Sequence, residues 1–114
     1  MQNLNYQNIV FNIVFALACL ASVCFLWENT ILLTIILIII SVIGLYKWKT
    51  KETLILFFFC GLFGALAEVI AIHFGIWIYT LPSIIGIPYW LPVLWGDAAV
   101  FSYQTAIEIK NLRL

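Results

Sequence analysis

Three ionisable side chains stand in otherwise apolar surroundings, and they are the residues most able to do chemistry. Glu68 lies in the run Gly64-Ala65-Leu66-Ala67-Glu68-Val69-Ile70-Ala71-Ile72-His73-Phe74-Gly75-Ile76-Trp77-Ile78-Tyr79, which also holds His73, the single histidine. Asp97 follows in Pro92-Val93-Leu94-Trp95-Gly96-Asp97. A carboxylate in lipid-like surroundings must be protonated, paired or beside a water-filled site, because an unpaired charge there costs roughly a few kcal/mol at least. Two nearby carboxylates cannot both ionise cheaply, so Glu68 and Asp97 side by side would share a proton or hold a cation. Asp97 could instead lie near the interface and serve the dipole of a helix N-terminus. His73 is either an ordinary interfacial histidine or a proton carrier or metal ligand beside one of these acids. Glu68, Asp97 and His73 are the candidate catalytic residues. Trp77, Tyr79, Trp90 and Trp95 cluster near them and suit the headgroup zone, or else the wall of a site for an apolar or cationic ligand. With Gln104, on the same expected helix face as Asp97, they form the candidate ligand-binding set. No metal-ligand spacing, nucleophile motif or phosphate loop accompanies them, so no metal and no cofactor is expected.

The surroundings are apolar by any measure. The chain has 114 residues, 66% hydrophobic and 9% charged, whereas a soluble domain has about 45–50% and about 25%. A body this small is mostly surface and could not hide so much apolar side chain from water. Lipid must cover the outside. Formal net charge is zero, so no basic face is available for nucleic acid. Cys19, Cys24 and Cys60 all fall in apolar runs, an odd count that argues against a disulfide framework. They read as small buried hydrophobes.

Four helices must position the site. The first is expected over 9–27, after a polar lead at 1–8 with no Lys or Arg. It reads as a retained span rather than a cleaved signal. Its Asn12, Ala16, Cys19 and Val23 share one face and should meet a neighbouring helix. A short turn at Glu28-Asn29-Thr30 makes the next helix, 31–46, an antiparallel neighbour. That helix is Ile-rich scaffold whose Thr34 and Ser41 hydroxyls can bond the carbonyl one turn back. The basic turn 47–52 leads to a third helix over 53–75. On it Gly61, Gly64, Glu68, Ala71 and Gly75 fall within about an 80° arc at roughly 100° per residue, a small-residue seam that turns Glu68 away from lipid. His73 lies about 140° round from Glu68. The segment after it is rich in turn formers and aromatics and should lie in the interface, dipping back into the protein. The fourth helix, 88–110, opens with prolines, which a first turn tolerates. Glu52 and Glu108 read as solvated charges near cytoplasmic ends. Lys47, Lys49, Lys51, Lys110 and Arg113 all fall on one side of a four-span chain, and the positive-inside rule makes that side cytoplasmic.

Glu68, Gly75, Tyr79, Gly86-Ile87-Pro88, Pro92 and Trp95 resemble the pattern of the carotenoid-biosynthesis hydratases of bacteria and archaea over about residues 65–97. The resemblance implies a membrane enzyme that adds water to a polyene end, with Glu68 as the acid and the aromatics lining a polyene channel. Pro88-Tyr89-Trp90-Leu91-Pro92 through Trp95 is also similar to small uncharacterised bacterial inner-membrane families. Ala67-Glu68-Val69-Ile70 resembles the membrane-embedded glutamate segment of the small multidrug resistance transporters, which implies transport by a dimer.

The sequence thus predicts an all-α polytopic membrane protein: one domain of four antiparallel transmembrane helices, in the inner (plasma) membrane, both termini cytoplasmic. It should hold a lipophilic or amphipathic ligand near the outer leaflet, in isoprenoid or lipid metabolism, with Glu68 as polar anchor. The expected partners are membrane lipid, a lipophilic small molecule, and a second copy or another membrane subunit. Two alternatives are a dimeric proton-coupled transporter and a structural subunit in which Glu68 glues helices together.

Overall fold

The computed structural model describes residues 6–112, so most of the polar lead and Arg113 lie outside the described residues. Four helices follow in order: α1 (Tyr6–Leu26), α2 (Thr30–Trp48), α3 (Lys51–His73) and α4 (Trp90–Asn111). α1, α2 and α3 are long and apolar enough to cross a membrane. α4 has the length, with 22 residues, but it carries Asp97, Gln104, Glu108 and Lys110 and is not among the apolar spans.

The place of α4 in the bundle goes with its polarity. It packs most extensively on α3 and also touches α1 and α2, while α1 and α3 do not meet. α4 therefore runs between them, where its polar groups find partners on every neighbour. Asp97 meets Ser41 and Cys19. Gln104 donates to Thr53 at 2.7 Å, and Asn12 donates to Thr105 at 3.4 Å. Asn8 donates to Glu108 at 3.0 Å and accepts from Lys47, contacts that belong to a helix already begun at Tyr6. Among the described residues no buried side-chain oxygen or nitrogen lacks a partner, as a low-dielectric interior requires. The outside is the inverse: Val10, Leu17, Ile35, Ile39, Phe58 and Leu62 are among many large apolar residues left exposed.

Local chemistry sets the helix ends. Asn29 caps α2 by accepting from Leu32 N–H, and Thr50 caps α3 by accepting from Thr53 N–H, each typically worth about 1 kcal/mol. α2 runs on to Trp48, whose ring packs edge-on against Phe11 and Phe15 and whose indole donates to Asn12. α3 stops at His73 because Gly75 takes φ +79°. Gly75 N–H then reaches Ile72 O, and Ile76 N–H reaches Ala71 O, the paired bonds of a Schellman stop.

Gly75 is thus a terminator, not part of the α3 packing seam. The seam is Gly61 and Gly64 against α4. A Cβ at Gly61 would sit 2.8 Å from Pro92 O, and one at Gly64 would sit 2.3 Å from the Trp95 ring. Gly96 answers from α4, with its would-be Cβ 2.7 Å from Phe57 O.

Between α3 and α4 the chain folds back in a tight turn, Ile84 to Ile87, closed by reciprocal backbone bonds of 2.9 Å. Ile85 and Gly86 both have positive φ, the requirement of such turns. The turn rests on Ile72 and buries Ile87 and Pro88. Phe74, Ile76 and Ile78 stay exposed.

Candidate functional site

Glu68 lies near the end of α3, half-buried, and three donors converge on its carboxylate. Tyr79 donates its hydroxyl to Oε1 at 2.5 Å. Trp77 Nε1 donates to the same oxygen at 3.2 Å, and Trp95 Nε1 donates to Oε2 at 2.7 Å. Trp95 is in place because Gly64 gives its ring room. Trp77 and Tyr79 arrive because the Gly75 stop turns the chain back over the end of α3. An indole N–H can donate but not accept. Two of the three partners can therefore only serve an acceptor, and the arrangement matches an ionised carboxylate. Burial, and then the Glu68 carboxylate, push the Tyr79 phenol well above its usual range.

Glu68 also forms part of a wall. With Tyr79, Trp90, Leu91, Leu94, Trp95, Ala98 and Val23 it encloses a groove of about 300 Å³ over α4. The groove shares Val23, Leu94 and Ala98 with a second hollow of about 190 Å³ between α1 and α4, walled by Phe15, Cys19, Asp97 and Phe101. It shares Val23, Tyr79 and Trp90 with a third, of about 370 Å³, bounded by Cys24, Trp27 and Leu81. The three adjoin as an apolar furrow of neighbouring hollows along α1 and α4, with the Glu68 carboxylate in the wall of one of them. Tyr79 and Trp90 meet edge to face in its wall, with centroids 6.3 Å apart.

Asp97 is not the partner of Glu68. Its side chain is 1% exposed and turns to α2 and α1, with Ser41 Oγ 2.6 Å from Oδ1 and Cys19 Sγ 3.6 Å from Oδ2. The two carboxylates flank adjoining hollows and share no hydrogen-bond partner. Nor does Asp97 lie at the interface serving the start of α4, since the bundle encloses it. Ser41 Oγ is also 2.7 Å from Leu37 O. A hydroxyl has one proton to give, so Ser41 shares it between Leu37 O and Asp97 Oδ1.

The other expected site residues separate. His73 is exposed at the end of α3, its ring edge-on to Phe74, and among the described residues it does not bond Glu68. Gln104 is roughly 13 Å further along α4 than Trp95, nine residues at 1.5 Å each, and is occupied by Thr53. Trp77 is nearly half exposed and touches the site through its N–H alone. Of the cysteines, Cys19 is buried, Cys60 half-buried and Cys24 exposed, so only Cys19 fits the small-buried-hydrophobe expectation, and it also meets Asp97. Val23, Leu94 and Ala98 carry no chemical signal in the sequence. Ser41 did carry one, as a hydroxyl in the middle of an Ile-rich helix. Family models, curated proteins and solved structures offer no match to this chain, so the resemblances over 65–97 rest on those residues alone.

Proposed function

We propose that this is a four-span protein of the inner (plasma) membrane, with the Lys-rich turn, the start of α1 and the end of α4 on the cytoplasmic side. It holds a lipophilic or amphipathic molecule near the outer leaflet. The placement is supported by Lys47, Lys49, Lys51 and Lys110 flanking the same ends of α2, α3 and α4, as the positive-inside rule expects. One observation carries the binding reading: a carboxylate fixed by three donors stands in the wall of an apolar groove that adjoins two further hollows. Apolar pockets with a few placed polar groups are the usual form of small-molecule sites.

The test is photolabelling of the protein in nanodiscs with an aliphatic diazirine. Adducts should concentrate on Val23 and residues 90–98. Ala98→Trp, which fills the two hollows Ala98 borders, should disperse them over the lipid face. Equal labelling of both proteins would overturn the reading.

The same hydrogen bonds favour a second reading, in which Glu68 is structural. They tie α3, the returning segment and α4 at one point. On that reading Ala98→Trp leaves the labelling pattern unchanged, and Glu68→Leu weakens the fold.

A further inference from the structure

We infer that the molecule held in the furrow has a positively charged amine head, quaternary or protonated, on an apolar tail, and that the head sits at Glu68 in the groove lined by Tyr79, Trp90 and Trp95. This rests on the ligand-holding reading above. Glu68 is met by neutral donors only. They spread its charge but do not cancel it, and two of them cannot accept a proton from it. Among the described residues no lysine, arginine or histidine pairs with it. Lys47, Lys49, Lys51 and Lys110 are at the other ends of their helices, and His73 packs on Phe74. Oε1 takes two donors and Oε2 one, so Oε2 retains an accepting direction.

The wall beside it is aromatic, and ring faces attract cations most where water is excluded. An anionic head would meet the carboxylate's own field. A neutral hydroxyl would gain one bond to Oε2 and leave the charge unanswered. The tail has a defined course, because the Glu68 groove opens through Val23, Leu94 and Ala98 into the hollow walled by Phe15 and Phe101. Asp97 is buried and held by Ser41 and Cys19, so it does not compete for the head there.

The test uses the whole chain in maltoside micelles and three probes of one shape: pyrenebutyltrimethylammonium, pyrenebutanol and pyrenebutyrate. The readout is energy transfer from tryptophan to pyrene, to which Trp90 and Trp95 contribute from the groove wall. The ammonium probe should bind at least about tenfold more tightly than the alcohol, and the carboxylate probe most weakly. Glu68→Gln should lose that tenfold for the ammonium and leave the alcohol within about twofold, which also shows that the groove is intact. Trp95→Phe, which keeps a ring face and the charge, should retain the ammonium preference. Displacement of the ammonium probe by short-chain phosphatidylcholine would support the inference and assign the amine to a lipid headgroup. Absence of displacement, with the preference intact, would support it for a free amphiphile. Equal binding of ammonium and alcohol, unchanged in Glu68→Gln, would overturn the cation and leave the ligand-holding furrow standing. If no probe binds in a way that Ala98→Trp abolishes, both fall.

Discussion

Glu68 and Asp97 are two acids in one small bundle, and their surroundings treat them in opposite ways. Glu68 stands at the rim of the furrow, half-buried, and receives protons in hydrogen bonds from Trp77, Tyr79 and Trp95. Asp97 is enclosed between α4, α2 and α1, and its closest partner is a hydroxyl also committed to Leu37 O. The first set of neighbours leaves the acid at an open rim, and the second encloses it. An acid's residue type therefore does not tell its role in a membrane bundle. What encloses it does. Glu68 is accordingly the functional candidate, and Asp97 is a polar tie between helices of the kind that packs spans together.

The largest expected effect breaks the frame that holds the two sites apart. Gly64→Leu would drive its side chain into the Trp95 ring and separate α3 from α4. Overpacking costs about 1–3 kcal/mol and occasionally more, and this site should fall at the upper end. Thermal unfolding in detergent should show it as a clear loss of midpoint. If Gly64→Leu melts like the wild type, the seam does not set the position of Trp95, and the Glu68 site loses its support.

The middle effect sets the acids against each other. In Glu68→Gln the amide must turn an N–H₂ towards a donor, whichever way it faces, at a cost of about 1–2 kcal/mol. In Asp97→Asn the N–H₂ can donate to Ser41 and the carbonyl can accept from Cys19, so the change should stay within about 0.5 kcal/mol. Parallel denaturation of the two variants measures the difference. A larger loss for Asp97→Asn would show that Asp97, not Glu68, is the acid whose neighbours most require an acceptor.

The smallest effect is spectroscopic. Tyr79 is held neutral by burial first and by Glu68 second, so its phenol should ionise late in an alkaline absorbance titration. Its folded pKa lies above the unfolded value of about 10. The fold therefore binds that proton more tightly, and the associated stability is present below about pH 10 and declines as pH rises beyond it. Glu68→Gln removes the second cause and should bring the Tyr79 transition part of the way down. An unshifted transition would place Tyr79 outside the carboxylate's reach.

Much of this architecture was legible in the residues. Helix number, the apolar exterior and the gathering of lysines at one end follow from composition and from the position of charges along the chain. The back bonds of Thr34 and Ser41 to Thr30 and Leu37 follow from residue type, as does the inward face of Asn12 and Cys19. Helix periodicity correctly joined Gly61 and Gly64 into a seam. It wrongly extended that seam to Gly75, because a glycine that packs and a glycine that ends a helix are the same letter until φ is known. Periodicity also placed Asp97 and Gln104 on one face, but their partners come from different helices.

The chain by itself determined that three of its helices are long and apolar enough to cross a membrane and that its few polar groups must find each other, because unsatisfied polar groups are too costly in apolar surroundings to leave unmatched. Only the tertiary structure decided which groups met. The bundle put α4 between α1 and α3, gave Ser41 and Cys19 to Asp97, and folded residues 77–79 back onto Glu68. Those pairings depend on crossing positions and on one chain reversal at Gly75, and neither is written in the spacing of residues along a single helix.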